Sequence, residues 1–377
     1  MKLLFVMDHH NPNNGVTVSA LRYAEALIRR GHQVRFLGTG VTGQEDWELP
    51  QFHLPIFDKL ITSQGMIFAK SDKGIITQAV EWADCVHFLV PFTMSVRTAV
   101  IAKKLGKPMT AAFHVQPQNI SYSIGMGRFS PVNTFIYWYF RVTFFRRFRH
   151  IHCPSAFIAG QLEKHHYKAQ LHVISNGVDP KFTYQKLPKP AQWQDKFVIL
   201  MIGRLSREKR QDVLIEAVNR SKYREKIQLE LAGQGPREEA VRRQGQCLPN
   251  PPGISFYTQD ELRALIAQCD LYVHAADAEI EAMSCMEAFS SGLVPIIADS
   301  RQSATPQFAL DEHSLFKAGD ADDLAAKIDW WIEHPEFRAE MEKAYSISGE
   351  KYALDACVGQ FEAMLAQEAG LTPEPTA

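Results

Sequence analysis

The sequence predicts an α/β protein of two domains, each built on a parallel β-sheet with helices between its strands. Three observations predict it. The 377 residues exceed what one ordinary core encloses. Strand and helix signals alternate through two successive series, which implies parallel sheets with right-handed crossovers. Between the series lies a proline-bearing stretch of little apolar periodicity, Asp179–Asp195.

In the first series the strands are Leu3–Met7, Gln33–Leu37, Cys85–Val90, Met109–Phe113, Ile151–Cys153 and His172–Ile174. The clearest helix is Ser19–Arg30, ended by Gly31. The second series has strands Val198–Ile202, Gln228–Ala232, Ile254–Phe256, Leu271–His274 and Val294–Ile297. Helices Gln211–Ser221, Arg237–Arg243, Asp260–Gln268 and Ala282–Ser290 intervene. The expected domains are residues 1–180 and 197–349, with a linker at 181–196. Residues 350–368 read as an amphipathic helix packing back toward the first domain, and 369–377, with Pro373 and Pro375, as a disordered tail.

Composition excludes several classes. A hydrophobic fraction of 46% and a charged fraction of 22% suit a soluble globular protein. Met1–Met7 lacks the basic start and small-residue cleavage site of a signal peptide and reads as a strand. No apolar run approaches the roughly 18 to 20 residues that span a bilayer. The expected location is cytoplasmic, with attachment to the inner face of the plasma membrane allowed. Six cysteines stand without CxxC pairs, so no metal site is expected and no cofactor is required. The net charge of −1 hides an asymmetry: residues 1–180 hold 19 Lys/Arg against 11 Asp/Glu. A basic half suggests an anionic partner or surface but is too mild for nucleic acid.

Ligands of open α/β sheets bind beyond the carboxyl ends of the strands, here in a cleft between two facing sheets. After the first strand, the turn Asp8–Gly15 leads into a helix near Thr17; Asn14 and Gly15 tolerate the positive φ of a tight turn. After Val198–Ile202 come Gly203 and Arg204, then Lys209, two cations that can share one diphosphate. A solvated basic loop has the same composition. After Leu271–His274 an acidic turn carries Glu279 and Glu281 into a helix from Ala282, with Glu287 two turns in. Glu279 and Glu287 can each accept bonds from vicinal hydroxyls, and the N–H groups of Ile280–Met283 can meet phosphate. An acidic first turn complementing the helix dipole accounts for Glu279 and Glu281 but not for Glu287. Asp320-Ala-Asp322 reads as a helix cap rather than a metal-binding DxD.

These sites, in this order, resemble those of the GT-B glycosyltransferases of the retaining family 4. The resemblance runs from Met1 to about Leu365. It is most specific in Glu279-x7-Glu287 followed by Gly292-Leu-Val-Pro295, and is supported by Gly203-Arg204, Glu208-Lys209 and Ser175-Asn176-Gly177-Val178-Asp179. It implies two Rossmann-like doubly wound domains and a nucleotide-sugar donor. Glu279 would bind the transferred sugar, Glu287 the ribose, and Arg204 with Lys209 the diphosphate. His114 would stand near the sugar. Asn14 replaces the first glycine of a pair common in the family, which leaves Gly15 as the close-approach position.

For the acceptor, Gln116–Asn133 forms a long segment with Gly125 and Gly127, followed by the aromatic and arginine-rich Phe135–Arg149. That composition suits an anionic membrane surface, and equally a partly buried helix. The stretches 279–285 and 303–310 resemble the branch that glucosylates diacylglycerol or sterol lipids, which implies UDP-glucose as donor and a lipid acceptor. The alternatives are a soluble or polysaccharide acceptor with another nucleotide sugar, or a GT-B epimerase.

Overall fold

The structure is a computed structural model and describes residues 1–11, 14–52, 67–123, 126 and 129–371. The chain folds into two compact units, Met1–Gly177 with Leu354–Ala377, and Val178–Ala353.

The first unit is built on strands β1 (Lys2–His9), β2 (Gln33–Thr39), β3 (Trp47–Glu48), β4 (Cys85–Phe88), β5 (Met109–Ala112), β6 (His150–Cys153) and β7 (Gln170–Val173). They pair in parallel in the order β3-β2-β1-β4-β5-β6-β7. The connecting helices are α1 (Gly15–Arg29), α2 (Lys73–Trp82), α3 (Thr93–Lys104), α4 (Pro117–Ser123), α5 (Ser130–Thr143) and α6 (Ala156–Lys164). Helix α1 forms because Ala20, Tyr23, Ala24 and Leu27 recur at helical spacing and are buried. The Asn14 side chain caps it, accepting from the Val16 N–H at 2.9 Å. The C-terminal helix Leu354–Ala369 belongs to this unit. Its Val358, Phe361 and Leu365 join a core with Leu3, Phe5, Tyr23 and Leu27. Glu362 fastens its outer face, accepting from Arg30 at 3.0 Å and lying 2.7 Å from His32.

The second unit repeats the plan. Strands β8 (Phe197–Ile202), β9 (Ile227–Ala232), β10 (Gly253–Ser255), β11 (Leu271–His274), β12 (Pro295–Asp299) and β13 (Leu315–Lys317) pair in parallel in the order β10-β9-β8-β11-β12-β13. Its helices are α7 (Gln211–Arg220), α8 (Glu238–Gly245), α9 (Gln259–Gln268), α10 (Met283–Ser290), α11 (Ala321–Glu333) and α12 (Pro335–Gly349). Helix α9 opens on a capping box between Thr258 and Glu261. Asp320 caps α11 by accepting from the Asp322 and Asp323 N–H groups, so the Asp-Ala-Asp sequence serves as a cap.

Both sheets have the doubly wound strand order, and each reverses direction once: between β1 and β4, and between β8 and β11. Residues 181–196, expected to be a linker, lie within the second unit. There the Leu187 N–H donates to the Ala267 carbonyl at 2.9 Å and Lys189 bonds Asp270 at 2.5 Å. Residues 372–377 of the expected tail lie outside the described residues.

Candidate functional site

The switch point of the second sheet assembles most of the expected residues. Strands β8 and β11 are direct neighbours, with Ile199 beside Leu271 and Leu200 beside Tyr272. The turns that leave their carboxyl ends therefore meet. The Asp277 N–H donates to the Glu208 carbonyl at 2.7 Å, and Arg210 Nη1 lies 3.2 Å from Asp277 Oδ2. Lys209 Nζ forms an ion pair with Glu279 Oε1. Arg204 leaves the same strand end and is exposed. Glycine is required behind this clasp. A Cβ on Gly233, just past β9, would stand 2.1 Å from the Gly203 carbonyl oxygen.

Glu279 lies not in an open turn but in a two-residue parallel ladder, Ala278–Glu279 beside Gln302–Ser303. Its residue is 8% exposed. Burial alone would raise its pKa. The ammonium of Lys209 and contact with His274 outweigh that and hold the carboxyl at about 2, so it is ionised at neutral pH. His274 Nε2 is 3.3 Å from the same oxygen, Oε1. Burial keeps His274 below the ordinary imidazole range despite that carboxylate. Tyr272 Oη lies 3.2 Å from His274 Nδ1 and 3.2 Å from Ser284 Oγ, which lies 3.3 Å from the Ile202 carbonyl at the end of β8.

Helix α10 starts at Met283, one residue later than expected, because Ala282 is its N-cap in the left-handed region at φ 64°. A second non-glycine residue, Arg210 at φ 59°, precedes α7. Left-handed backbone costs a side-chain-bearing residue about 1–3 kcal/mol, and of three such described residues, His166, Arg210 and Ala282, the last two flank this site. No side chain caps α10. Glu281 and Glu287 are buried, with Glu287 in the body of α10.

His114 stands in the first unit, two residues past β5. Burial first, then the neighbouring His152, whose ring centroid is 5.4 Å away, lower its pKa to about 3, leaving a neutral imidazole. Nearby in sequence, Gln116, Gln118, Ser121 and Asn133 are buried, and Ser121 donates to Asn133 at 2.6 Å. Gly125 and Gly127 lie outside the described residues. Gly15 departs from expectation. It is the first residue of α1 without positive φ, Asn14 has φ −100° as a cap, and a Cβ on Gly15 would meet nothing within 4 Å. A helix start does not need the left-handed backbone expected of this turn. At the end of β1, Asp8 is buried; Oδ1 accepts from the Ala69 N–H at 3.3 Å and, among the described residues, Oδ2 has no partner.

Sequence reading missed the His274–Tyr272 pair, the Arg210–Asp277 clasp and Gly233. A signal existed for the first. A central parallel strand is apolar on both faces, yet β11 carries Tyr272 and His274 two residues apart, on one face. Among the described residues, no group of three His, Cys, Asp or Glu is placed to hold a metal ion.

Helix α5 has two faces. Asn133, Tyr137 and Phe140 are buried, with the Tyr137 ring 5.8 Å from Phe113. Phe135, Trp138 and Tyr139 face outward at 59%, 48% and 48% exposure, with Phe129 and Met126 exposed just before them. Arg141 and Arg147 are spent on carbonyls of their own unit, whereas Arg146 and Arg149 are exposed. No described helix is long and apolar enough to cross a membrane.

Comparison with known proteins gives the same architecture. Residues 13–182 match the family described as Glycosyltransferase Family 4, and 184–346 match Glycosyl transferases group 1. The chain is 23% identical to an alpha-monoglucosyldiacylglycerol synthase of Streptococcus pneumoniae, over 93% of this chain and 83% of that one. The catalytic domain of a cholesterol-alpha-glucosyltransferase from Helicobacter pylori is 48% identical over 42% of this chain and 99% of its own, with a TM-score of 0.41. HepE of Anabaena, solved with UDP-glucose, has a TM-score of 0.73 at 17% identity, covering 97% of this chain and 100% of that one. The chain belongs to the family 4 glycosyltransferases, hexosyltransferases built on the GT-B fold.

Proposed function

We propose that the protein transfers glucose from UDP-glucose, with retention of configuration, to a hydroxyl of a membrane lipid such as diacylglycerol, working as a peripheral protein on the cytoplasmic side of an anionic membrane. The observation that carries the donor half is the Lys209–Glu279 pair at the β8/β11 switch point. In a nucleotide sugar the hexose adjoins the diphosphate. A carboxylate for sugar hydroxyls beside a cation for phosphate matches that adjacency. Arg204 and Lys209 would neutralise the leaving diphosphate, Glu287 would hold the ribose and His114 would approach the sugar. The uncapped start of α10, with Ile280, Glu281, Ala282 and Met283, would receive phosphate, and Gly15 would border the donor. The acceptor oxygen bonds to the anomeric carbon as the bond from that carbon to the diphosphate oxygen breaks. The acceptor proton passes to the departing phosphate oxygen, so the protein's part is positioning and charge stabilisation.

Two observations support the lipid acceptor besides the diacylglycerol synthase relative. The outward aromatic face of α5 is of the kind that enters a headgroup layer. The chain around it has no acid at all: residues 85–162 hold 9 Lys/Arg and no Asp or Glu, a charge pattern suited to anionic lipid. Incubation with UDP-glucose and anionic vesicles containing diacylglycerol, followed by mass analysis of the lipid, is expected to give a glucosylated product. Failure to bind such vesicles, with transfer to a soluble glycan instead, would overturn the lipid reading.

A further inference from the structure

The Glu279 carboxylate is held from one side only. Lys209 and His274 both approach Oε1 rather than Oε2. Lys209 reaches it on a long, flexible stem, whereas His274 is fully buried on the last position of β11. A rigid donor on the sheet can set the plane of the carboxylate in a way that a mobile ammonium cannot.

To donate to Glu279, His274 must carry its proton on Nε2, which obliges Nδ1 to accept. Among the described residues, Nδ1 has the Tyr272 hydroxyl as its partner. Tyr272 shares β11 with His274, and its oxygen is also within reach of Ser284 near the start of α10. Ser284 in turn reaches the Ile202 carbonyl, where β8 opens into the Gly203–Lys209 turn. One chain of polar groups thus runs from the sugar-side carboxylate to the strand that carries the diphosphate-side cations. At 3.3 Å the His274 Nε2–Glu279 Oε1 contact falls outside hydrogen-bond geometry, and among the described residues Nε2 has no other partner. Catalytic hydrogen bonds are often long or poorly aligned before substrate binds and tighten in the complex.

We propose that His274 is a positioning residue for glycosyl transfer: Tyr272 fixes its Nε2–H form, and through that hydrogen it holds Glu279 Oε1 so that Oε2 is left to the hydroxyls of the transferred sugar. This rests on Glu279 being the sugar-binding carboxylate. Burial keeps the imidazole neutral, so it gives one hydrogen in one direction and adds no second cation beside Lys209.

The test is a double-mutant cycle on the full chain, with kcat and donor KM measured on UDP-glucose and foldedness checked by thermal melting. His274→Phe, which keeps bulk and loses the donor, is expected to lower kcat by about a hundredfold with a smaller change in donor KM. His274→Gln puts an N–H near the Nε2 position and is expected to restore most of that loss. In a Glu279→Gln background, His274→Phe is expected to cost less than about twofold more, since its effect passes through Glu279. A loss that is undiminished in that background overturns the proposal, as does a folded His274→Phe with parental kcat while Glu279→Gln is impaired. A fully active Glu279→Gln instead overturns the reading of Glu279 itself. If His274→Phe does not fold, Tyr272→Phe decides. It removes one hydroxyl and is expected to lower kcat severalfold, and parental kcat in the folded protein overturns the proposal.

Discussion

At the scale of single residues, the site is governed by which charges are buried and what stands beside them. Lys209 is paired with Glu279, and its side chain runs past Gly203, the residue before Arg204. If both cations act on charge that develops on the leaving diphosphate, their loss falls on turnover rather than donor binding. Lys209→Ala and Arg204→Ala are expected to reduce kcat by about 10²–10³-fold with a much smaller rise in donor KM. Steady-state kinetics with UDP-glucose checks this, and equal effects on both constants contradict it. Asp8 offers a pH signature independent of catalysis. Burial raises its pKa from 3.8 to about 7, only partly offset by the Ala69 N–H. The unfolded chain ionises near the lower value while the folded chain keeps its proton to the higher one. Stability therefore falls as pH rises between them, by at most about 4 kcal/mol at ~1.36 kcal/mol per unit. Asp8→Asn, which cannot ionise, is expected to flatten that slope. Melting temperatures at pH 5 and pH 8 should differ more in the parent than in the variant.

At the scale of elements, the two faces of α5 answer to different forces. Tyr137 is 1% exposed among Phe113, His165 and Tyr167. Tyr137→Ala is expected to destabilise by about 3–5 kcal/mol through the cavity it leaves. Phe135→Ala with Trp138→Ala, on the outward face, is expected to leave the melting temperature unchanged and to weaken co-sedimentation with anionic vesicles. The ends of β8 and β9 behave more stiffly. Gly233→Ala would drive a methyl into the Gly203 carbonyl, so loss of donor binding should accompany a lower melting temperature. How far these elements can be read from the sequence depends on where their cause lies. Strand β11 was expected over the residues it occupies, because Leu271–His274 is a short run closed by turn residues. Helix α7 was expected within one residue for the same local reasons. Strand β13 and the Ala278–Glu279 ladder escaped, since two or three residues carry no period and are strands only because a neighbour pairs with them. The same holds for the site. Glu279, Glu287, Arg204 and Lys209 are visible as charged residues after strands. The register that sets Tyr272 beside Leu200, and so brings the two turns together, is a property of the folded sheet.

At the scale of the molecule, the chain passes between its units twice, after Gly177 and after Ala353. The second unit is therefore one continuous segment and the first is not. Residues 1–177 alone lack the helix Leu354–Ala369, which supplies Cys357, Val358, Phe361, Met364 and Leu365 to the first core. Phe361 packs edge-on against Phe5, Tyr23 and His87, at ring distances of 6.2, 5.1 and 4.8 Å. Five buried apolar side chains at about 2 kcal/mol each come to about 10 kcal/mol, which is the whole stability of an ordinary domain. A fragment of residues 178–353 is expected to unfold in one cooperative transition. A fragment of residues 1–177 is expected to show none and to bind a hydrophobic dye. Adding back residues 354–371, as a peptide or through a short fused linker, should restore a cooperative melt. A fragment 1–177 that melts cooperatively unaided would mean that the C-terminal helix merely covers the first unit instead of completing its core.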